Sequence, residues 1–286
     1  MNKWLNMNKM FLYVFLILWI NICCAKDVKN VAILLVTAPK KRPELTRSAS
    51  DLLVALKNIP DNIAIKEIVF TKGCVEGCEH VELDNVVKQF KEEFPHITIS
   101  TPTFVPDDDD LFMDREWSRD YYSGLFDDIR VGDFYYERYL KHIRINFFFI
   151  SSAKYLYNKA DIDYVLFMED DLTYQPDAFI NVGKLIERTN SSILYSKIAH
   201  THRRGTPYSH LKDFVLDCRI DVTHRVGYYG ILRSREQLKI YLTHMKFCGL
   251  TECGDTLSKQ LCQASDKMVS VIECTKHFGP NKRMPK

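Results

Sequence analysis

Three consecutive acids, Glu169-Asp170-Asp171, follow the apolar run Tyr164–Met168. Such a run reads as a strand buried on both faces. In an open α/β sheet the chain leaves the core at the carboxyl ends of the strands, and ligands bind there. Crowding three carboxylates at that exit costs repulsion and desolvation unless a cation or water compensates. A hard divalent ion such as Mn²⁺ or Mg²⁺, bridging carboxylate to diphosphate oxygens, compensates well. The competing reading is a loop of solvated acids that begins a helix, because negative charge suits a helix N-terminus. A second acidic run, Asp107-Asp108-Asp109-Asp110, falls in a stretch without periodicity and reads as a solvated loop.

The elements that must position the triplet are legible around it. Val31–Pro39 is an apolar, β-rich run ending in a turn signal. Leu45, Ala49, Leu52, Leu53 and Leu56 fall at helical spacing between Pro43 and Asn58. Ala64–Thr71 reads as a strand, Leu83–Phe94 as a helix and His96–Ser100 as a third strand. Alternation of this kind means parallel pairing with right-handed crossovers. A long helix is expected over Phe134–Lys159, with Leu140, Ile143, Phe147 and Ile150 along one face, before the strand that ends in the acids. The expected fold class is α/β, a Rossmann-like, mostly parallel sheet flanked by helices.

The first 25 residues have a different composition. Lys3 and Lys9 precede an apolar run from Met10 to Ile20, and Cys23, Cys24 and Ala25 follow. That order is a signal peptide cleaved after Ala25 or, if uncleaved, a signal anchor. Either form places residues 26–286 in the lumen of the secretory pathway. Those residues carry 37 basic against 37 acidic side chains once Lys3 and Lys9 are set aside, so the body is neutral. A neutral body gives no electrostatic reason to expect nucleic acid as a partner. Seven cysteines remain, Cys74, Cys78, Cys218, Cys248, Cys253, Cys262 and Cys274. Disulfides are their expected state in an oxidising lumen, with a metal clip at Cys74 and Cys78 or Cys248 and Cys253 as the alternative, and the odd number leaves at least one unpaired within the chain. Asn190-Ser191-Ser192 is a glycosylation sequon.

An apolar strand ending in an acidic triplet resembles the DXD-type motif of GT-A glycosyltransferases. The stretch RYLKHIRINFFFISSAKYLYNKADIDYVLFMEDDLTYQPDAF resembles the helix, strand and triplet of the post-GPI-attachment GalNAc transferase. It is more distantly similar to N-acetylglucosaminyltransferase IV. A second block, CGLTECGDTLSKQLCQASDKMVSVIECTKHFGPNKRMP, matches the tail of the same enzyme: Gly254-Asp255 opening a helix, the strand Val269–Ile272, then His277-Phe278-Gly279. The resemblance as a whole covers about half the chain.

The resemblance implies one GT-A catalytic domain and the following roles. Asp171 is the principal metal ligand, with Glu169 assisting through water or the ribose. Asp170 orients the diphosphate, and His277 completes the metal site. Asp255 deprotonates the acceptor hydroxyl of an inverting reaction, with Glu252 as the rival base; capping the helix Thr256–Cys262 would also account for Asp255. Thr37, Ala38 and Pro39 cradle the nucleobase and ribose. Lys40, Lys41 and Arg42 face either the diphosphate or solvent. Gly227-Tyr228-Tyr229-Gly230 is either the glycine loop beneath the donor sugar or a tight turn. The implied donor is UDP-GalNAc or UDP-GlcNAc with Mn²⁺ or Mg²⁺. The implied acceptor is a glycan or glycolipid such as a GPI mannose, and the implied location is the Golgi, by a type II anchor, or outside the cell.

One departure is plain. The GPI enzyme inserts a membrane hairpin of two helices in its catalytic domain. Between Thr201 and Val226 this chain has no apolar run of spanning length. Three other classes stay open: an inactive lumenal glycan- or nucleotide-sugar-binding protein of the same fold, a metal-dependent phosphoesterase, and a disulfide-stabilised structural protein. The phosphoesterase would need further ligands near the first strand, and VTAPKKR offers none.

Overall fold

The computed structural model describes residues 27–37, 44–73, 79–104, 147–170, 172–199, 212–217, 230–248 and 266–277; at 199, 244–248, 273, 276 and 277 it describes backbone alone. In chain order the elements are β1 (Lys29–Thr37), α1 (Glu44–Leu56), β2 (Ile63–Lys72), α2 (Val81–Glu93) and β3 (Thr98–Ser100). Residues 147–157 form the described part of α3. Then follow β4 (Tyr164–Glu169), β5 (Leu172–Tyr174), α4 (Ala178–Arg188), β6 (Ile193–Ala199), β7 (Asp213–Asp217), β8 (Ile231–Ser234), α5 (Arg235–Cys248) and β9 (Met268–His277).

All nine strands join one sheet in the order β3-β2-β1-β4-β8-β6-β9-β5, with β7 paired to β9. The pairs β1–β2, β2–β3, β1–β4 and β6–β9 are parallel, whereas β8 runs antiparallel between β4 and β6. Following the pairings across the sheet, β1, β2, β3, β4, β6 and β9 run one way, and β5, β7 and β8 run the other. The sheet is therefore mostly parallel, as expected. Its first half follows the alternation read from the sequence through β1, α1, β2, α2 and β3.

Alternation along the strands divides the core in two. Ile33 and Leu35 of β1 and Leu166 and Met168 of β4 meet α1, α2 and α4 through Leu52, Phe90 and Phe179. Leu34 of β1 and Val165 and Phe167 of β4 meet α3 and α5 through Phe149, Leu156, Leu238 and Tyr241. With helices on both faces, β1 and β4 have no solvated side, which explains their unbroken apolar runs. The described residues form one three-layer domain.

The triplet does not begin a helix. Two residues, Asp170 and Asp171, separate β4 from β5, and the next helix starts only at Ala178. That spacing constrains the sheet. A chain rises at most about 3.6 Å per residue, so Leu172 lies within about 11 Å of Glu169. In pairing order, however, β8, β6 and β9 intervene between β4 and β5. The far end of the sheet must therefore curl back over the exit of β4. Two observations agree with this: α1 packs against β5, and Leu172 and Tyr174 share the α1–α2–α4 core.

Candidate functional site

The parallel direction of β1, β4, β6 and β9 brings their carboxyl ends to one edge of the sheet, and the antiparallel β8 begins there. Five of the residues singled out in the sequence come to this edge. Glu169 closes β4 opposite Val36 of β1, half-buried. Asp170 follows it and is buried, with 5% of its surface exposed. Thr37 is the last residue of β1 and is also buried. Gly230 opens β8, its N–H donating to the Phe167 carbonyl at 2.7 Å and its carbonyl accepting from Ile198 N–H at 2.8 Å. Its φ of 67° lies in the left-handed region, where a glycine is favoured. The fifth is His277, whose backbone pairs with Leu172.

That last register matters most. His277 stands 106 positions from Asp171 in the sequence, yet its cross-strand partner is the residue immediately after Asp171. Directly paired Cα atoms lie about 5 Å apart. The chain thus delivers an imidazole-bearing residue to the exit of the acidic strand. Among the described residues no group of three His, Cys, Asp or Glu side chains could hold a metal ion; Asp171 and the side chain of His277 lie outside them.

The buried side chains at this edge make a directional chain of hydrogen bonds. Thr37 Oγ1 donates to Asp170 Oδ2 at 2.8 Å. His80 Nε2 lies 3.0 Å from the same Thr37 oxygen. His80 also caps α2, its Nδ1 accepting the Leu83 N–H at 3.3 Å. An Nδ1 that accepts must be bare, so the ring proton sits on Nε2 and points at Thr37. Burial pushes the imidazole below its ordinary pKa, against the opposing pull of Glu82 and Asp170. The neutral tautomer this chain requires is the form that burial favours.

The hydroxyl of Thr37, one of the residues expected to cradle the nucleotide, bonds to Asp170 and His80. His80 went unnoticed in the sequence because histidine is not a favoured helix cap. Its one signal is its place immediately before the helical run that opens at Val81. Also unanticipated are Lys197 of β6 and Arg233 of β8, buried cations on the α3–α5 side. Arg233 lies 4.5 Å from the Tyr241 ring centre and 5.3 Å from that of Tyr195, over which Lys197 also sits at 5.5 Å. Ala38, Pro39, Arg42, Asp171, Glu252 and Asp255 lie outside the described residues.

No protein-family model and no curated protein matches the chain significantly. Among solved structures it is similar to S. aureus TarS, with a TM-score of 0.49 at 12% identity over 85% of this chain and 35% of that one. This chain therefore spans about a third of that structure's length. It is also similar to 4-diphosphocytidyl-2C-methyl-D-erythritol synthase from Anaerococcus prevotii, with a TM-score of 0.45 at 9% identity over 86% of this chain and 89% of that one. A third similar structure is apo mouse xyloside xylosyltransferase 1, with a TM-score of 0.44 at 10% identity over 86% of each chain. These are partial likenesses in the path of the chain.

Proposed function

We propose that the protein is an inverting GT-A glycosyltransferase that transfers a sugar, of the N-acetylhexosamine class, from a UDP-sugar to a glycan or glycolipid acceptor such as a GPI mannose. The observation that supports this reading is the backbone register that pairs His277 with Leu172, the residue after the acidic triplet. Glu169, Asp171 and His277 would hold a Mn²⁺ or Mg²⁺ ion, which supplies Lewis-acid stabilisation to a departing diphosphate. Asp170, fixed from below by Thr37, orients the diphosphate. Gly230, in the left-handed region and bonded to the Phe167 carbonyl of β4, belongs to the glycine loop beneath the donor sugar. Asp255 takes the acceptor proton, with Glu252 as the alternative base.

The measurement is UDP release by the purified protein from a panel of UDP-sugars, with and without Mn²⁺. Manganese-dependent release is expected, abolished in Asp171→Ala and lowered about 10²-fold or more in Asp255→Asn. Unchanged release in Asp171→Ala would remove the metal assignment. A wild-type protein that binds UDP-sugars but never releases UDP would instead be an inactive binding protein of this fold.

The same reading puts residues 26–286 in the secretory lumen, behind a cleaved signal or a type II Golgi anchor. Among the described residues no helix is long and apolar enough to cross a membrane. Asn190 offers the direct test of location. It is exposed in the turn between α4 and β6, and Ser192 Oγ donates to its Oδ1 at 2.5 Å. Expression in a eukaryotic secretory host should add a glycan that an N-glycosidase removes and Ser192→Ala prevents. An unglycosylated, cytosolic product would contradict the location.

A further inference from the structure

Three acids at one strand exit repel one another, and side chains free to rotate would splay into solvent. Asp170 is held against that tendency by a path through two other elements. Thr37 at the end of β1 donates to its Oδ2 at 2.8 Å, and His80 at the start of α2 meets the same hydroxyl at 3.0 Å. The path is anchored at both ends. Leu83 N–H fixes the imidazole at the N-terminus of α2. Gly73, just past β2, fixes the backbone of Thr37, donating its N–H to the Thr37 carbonyl at 2.6 Å. A Cβ on Gly73 would stand 3.3 Å from that carbonyl oxygen, so a side chain there would need the two strand ends to part by a few tenths of an ångström.

Each hydrogen in the path has one consistent direction. The Leu83 amide gives to Nδ1, Nε2–H gives to Thr37 Oγ1, and Oγ1–H gives to Asp170. Every donor therefore points toward the carboxylate, and the last of them holds its Oδ2. A threonine hydroxyl can accept one bond while donating another, whereas neither valine nor alanine can.

We infer that His80 and Thr37 are positioning residues that hold the Asp170 carboxylate in place for the donor diphosphate. This rests on the nucleotide-sugar reading above. Neither residue touches the reacting atoms; both act through Asp170.

The test combines donor kinetics with a ligand-free measurement. Thr37→Val keeps the shape and deletes the bridge, while Thr37→Ser keeps the hydroxyl. His80→Asn retains a residue that caps helices well but is too short to reach Thr37. Losing the hydrogen bond to the Asp170 carboxylate should raise the KM for the UDP-sugar about tenfold in Thr37→Val, and losing the neutral bond from His80 to Thr37 should raise it about threefold in His80→Asn, with kcat changed less than about threefold in both. Thr37→Ser should restore KM. In the ligand-free protein, the unfolding constants of His80→Asn, Asp170→Asn and the double variant form a cycle. The double variant should depart from the product of the singles by at least about threefold, and that departure should vanish in a Thr37→Val background.

An unchanged KM in both Thr37→Val and His80→Asn, with an active wild type, overturns the inference. So does an unfolding cycle without coupling. A wild-type protein that turns over no UDP-sugar removes the donor reading instead, and the unfolding cycle still decides whether His80 acts on Asp170.

Discussion

Two carboxylates are buried in the same sheet, Glu67 in β2 and Asp170 just beyond β4, and their surroundings differ. Glu67 lies within its strand. Its Oε1 accepts from Ser100 at 2.5 Å and Tyr155 at 3.1 Å, and its Oε2 accepts from Lys159 at 2.5 Å. Those partners come from β3 and from the end of α3, so the cluster binds the sheet's outer strands to the helix covering them. The Lys159 ammonium also sits 4.4 Å from the Tyr155 ring centre. Asp170 stands instead where the backbone leaves the core, among acids, held through Thr37 by the start of another helix. An acid within a strand, walled in by donors from its own fold, serves packing. On the proposed function, an acid at a strand's exit, held by Thr37, serves the donor diphosphate.

Truncating each acid should separate the two roles. Glu67→Ala removes the acceptor shared by Ser100, Tyr155 and Lys159 and should cost about 2 kcal/mol in urea unfolding, since two hydroxyls lose a charged partner while the part-exposed Lys159 ammonium turns to solvent. UDP affinity of the folded fraction should not change. Asp170→Ala should cost only about 1 kcal/mol of stability, the scale of one hydrogen-bonded partner, while strongly weakening UDP binding. Reversed outcomes, with Glu67→Ala sparing stability and Asp170→Ala sparing UDP binding, would erase the distinction.

Gly230→Ala tests the site edge by another route. A left-handed conformation costs an alanine about 1 kcal/mol, so a modest fall in melting temperature is expected. If the loop lies beneath a donor sugar, donor KM rises with it. An unaltered melting temperature would mean that the backbone adjusts at no cost.

The smallest effect concerns pH. Folded His80 titrates below its unfolded value of about 6.5. Below about pH 6.5 the unfolded chain therefore binds a proton that the folded chain refuses. Stability associated with neutral His80 is complete above that pH, falls as pH drops toward the folded pKa, and levels off beneath it. The charged groups that act on the ring are Glu82, Asp84, Asp170 and Lys72, so the slope belongs to this cluster and not to an isolated imidazole. Urea midpoints measured from about pH 5 to about pH 8 should slope less in His80→Asn. An identical slope in the variant would show that other groups carry it.

Local patterning determined the first half of the protein. β1 and β4 are covered on both faces and so appear as unbroken apolar runs, while α1 and α2 bury one face and so appear as helical spacing. The acidic triplet was legible for the same reason: it ends a dry strand abruptly. The second half was less legible. Helix α4 and strands β5, β6 and β7 were not anticipated, because β5 and β7 are short and their pairing with β9 joins segments far apart in the chain. The antiparallel placement of β8 between β4 and β6 is likewise a matter of sheet order, which periodicity does not encode. The resemblance to GT-A enzymes suggested His277, but the tertiary register alone set its backbone opposite Leu172. The link from His80 through Thr37 to Asp170 was likewise decided only by the fold, because it spans 43 and 133 positions. Side-chain type and spacing record which face a residue buries; which distant residue meets it there is settled when the strands pair and the helices close over them.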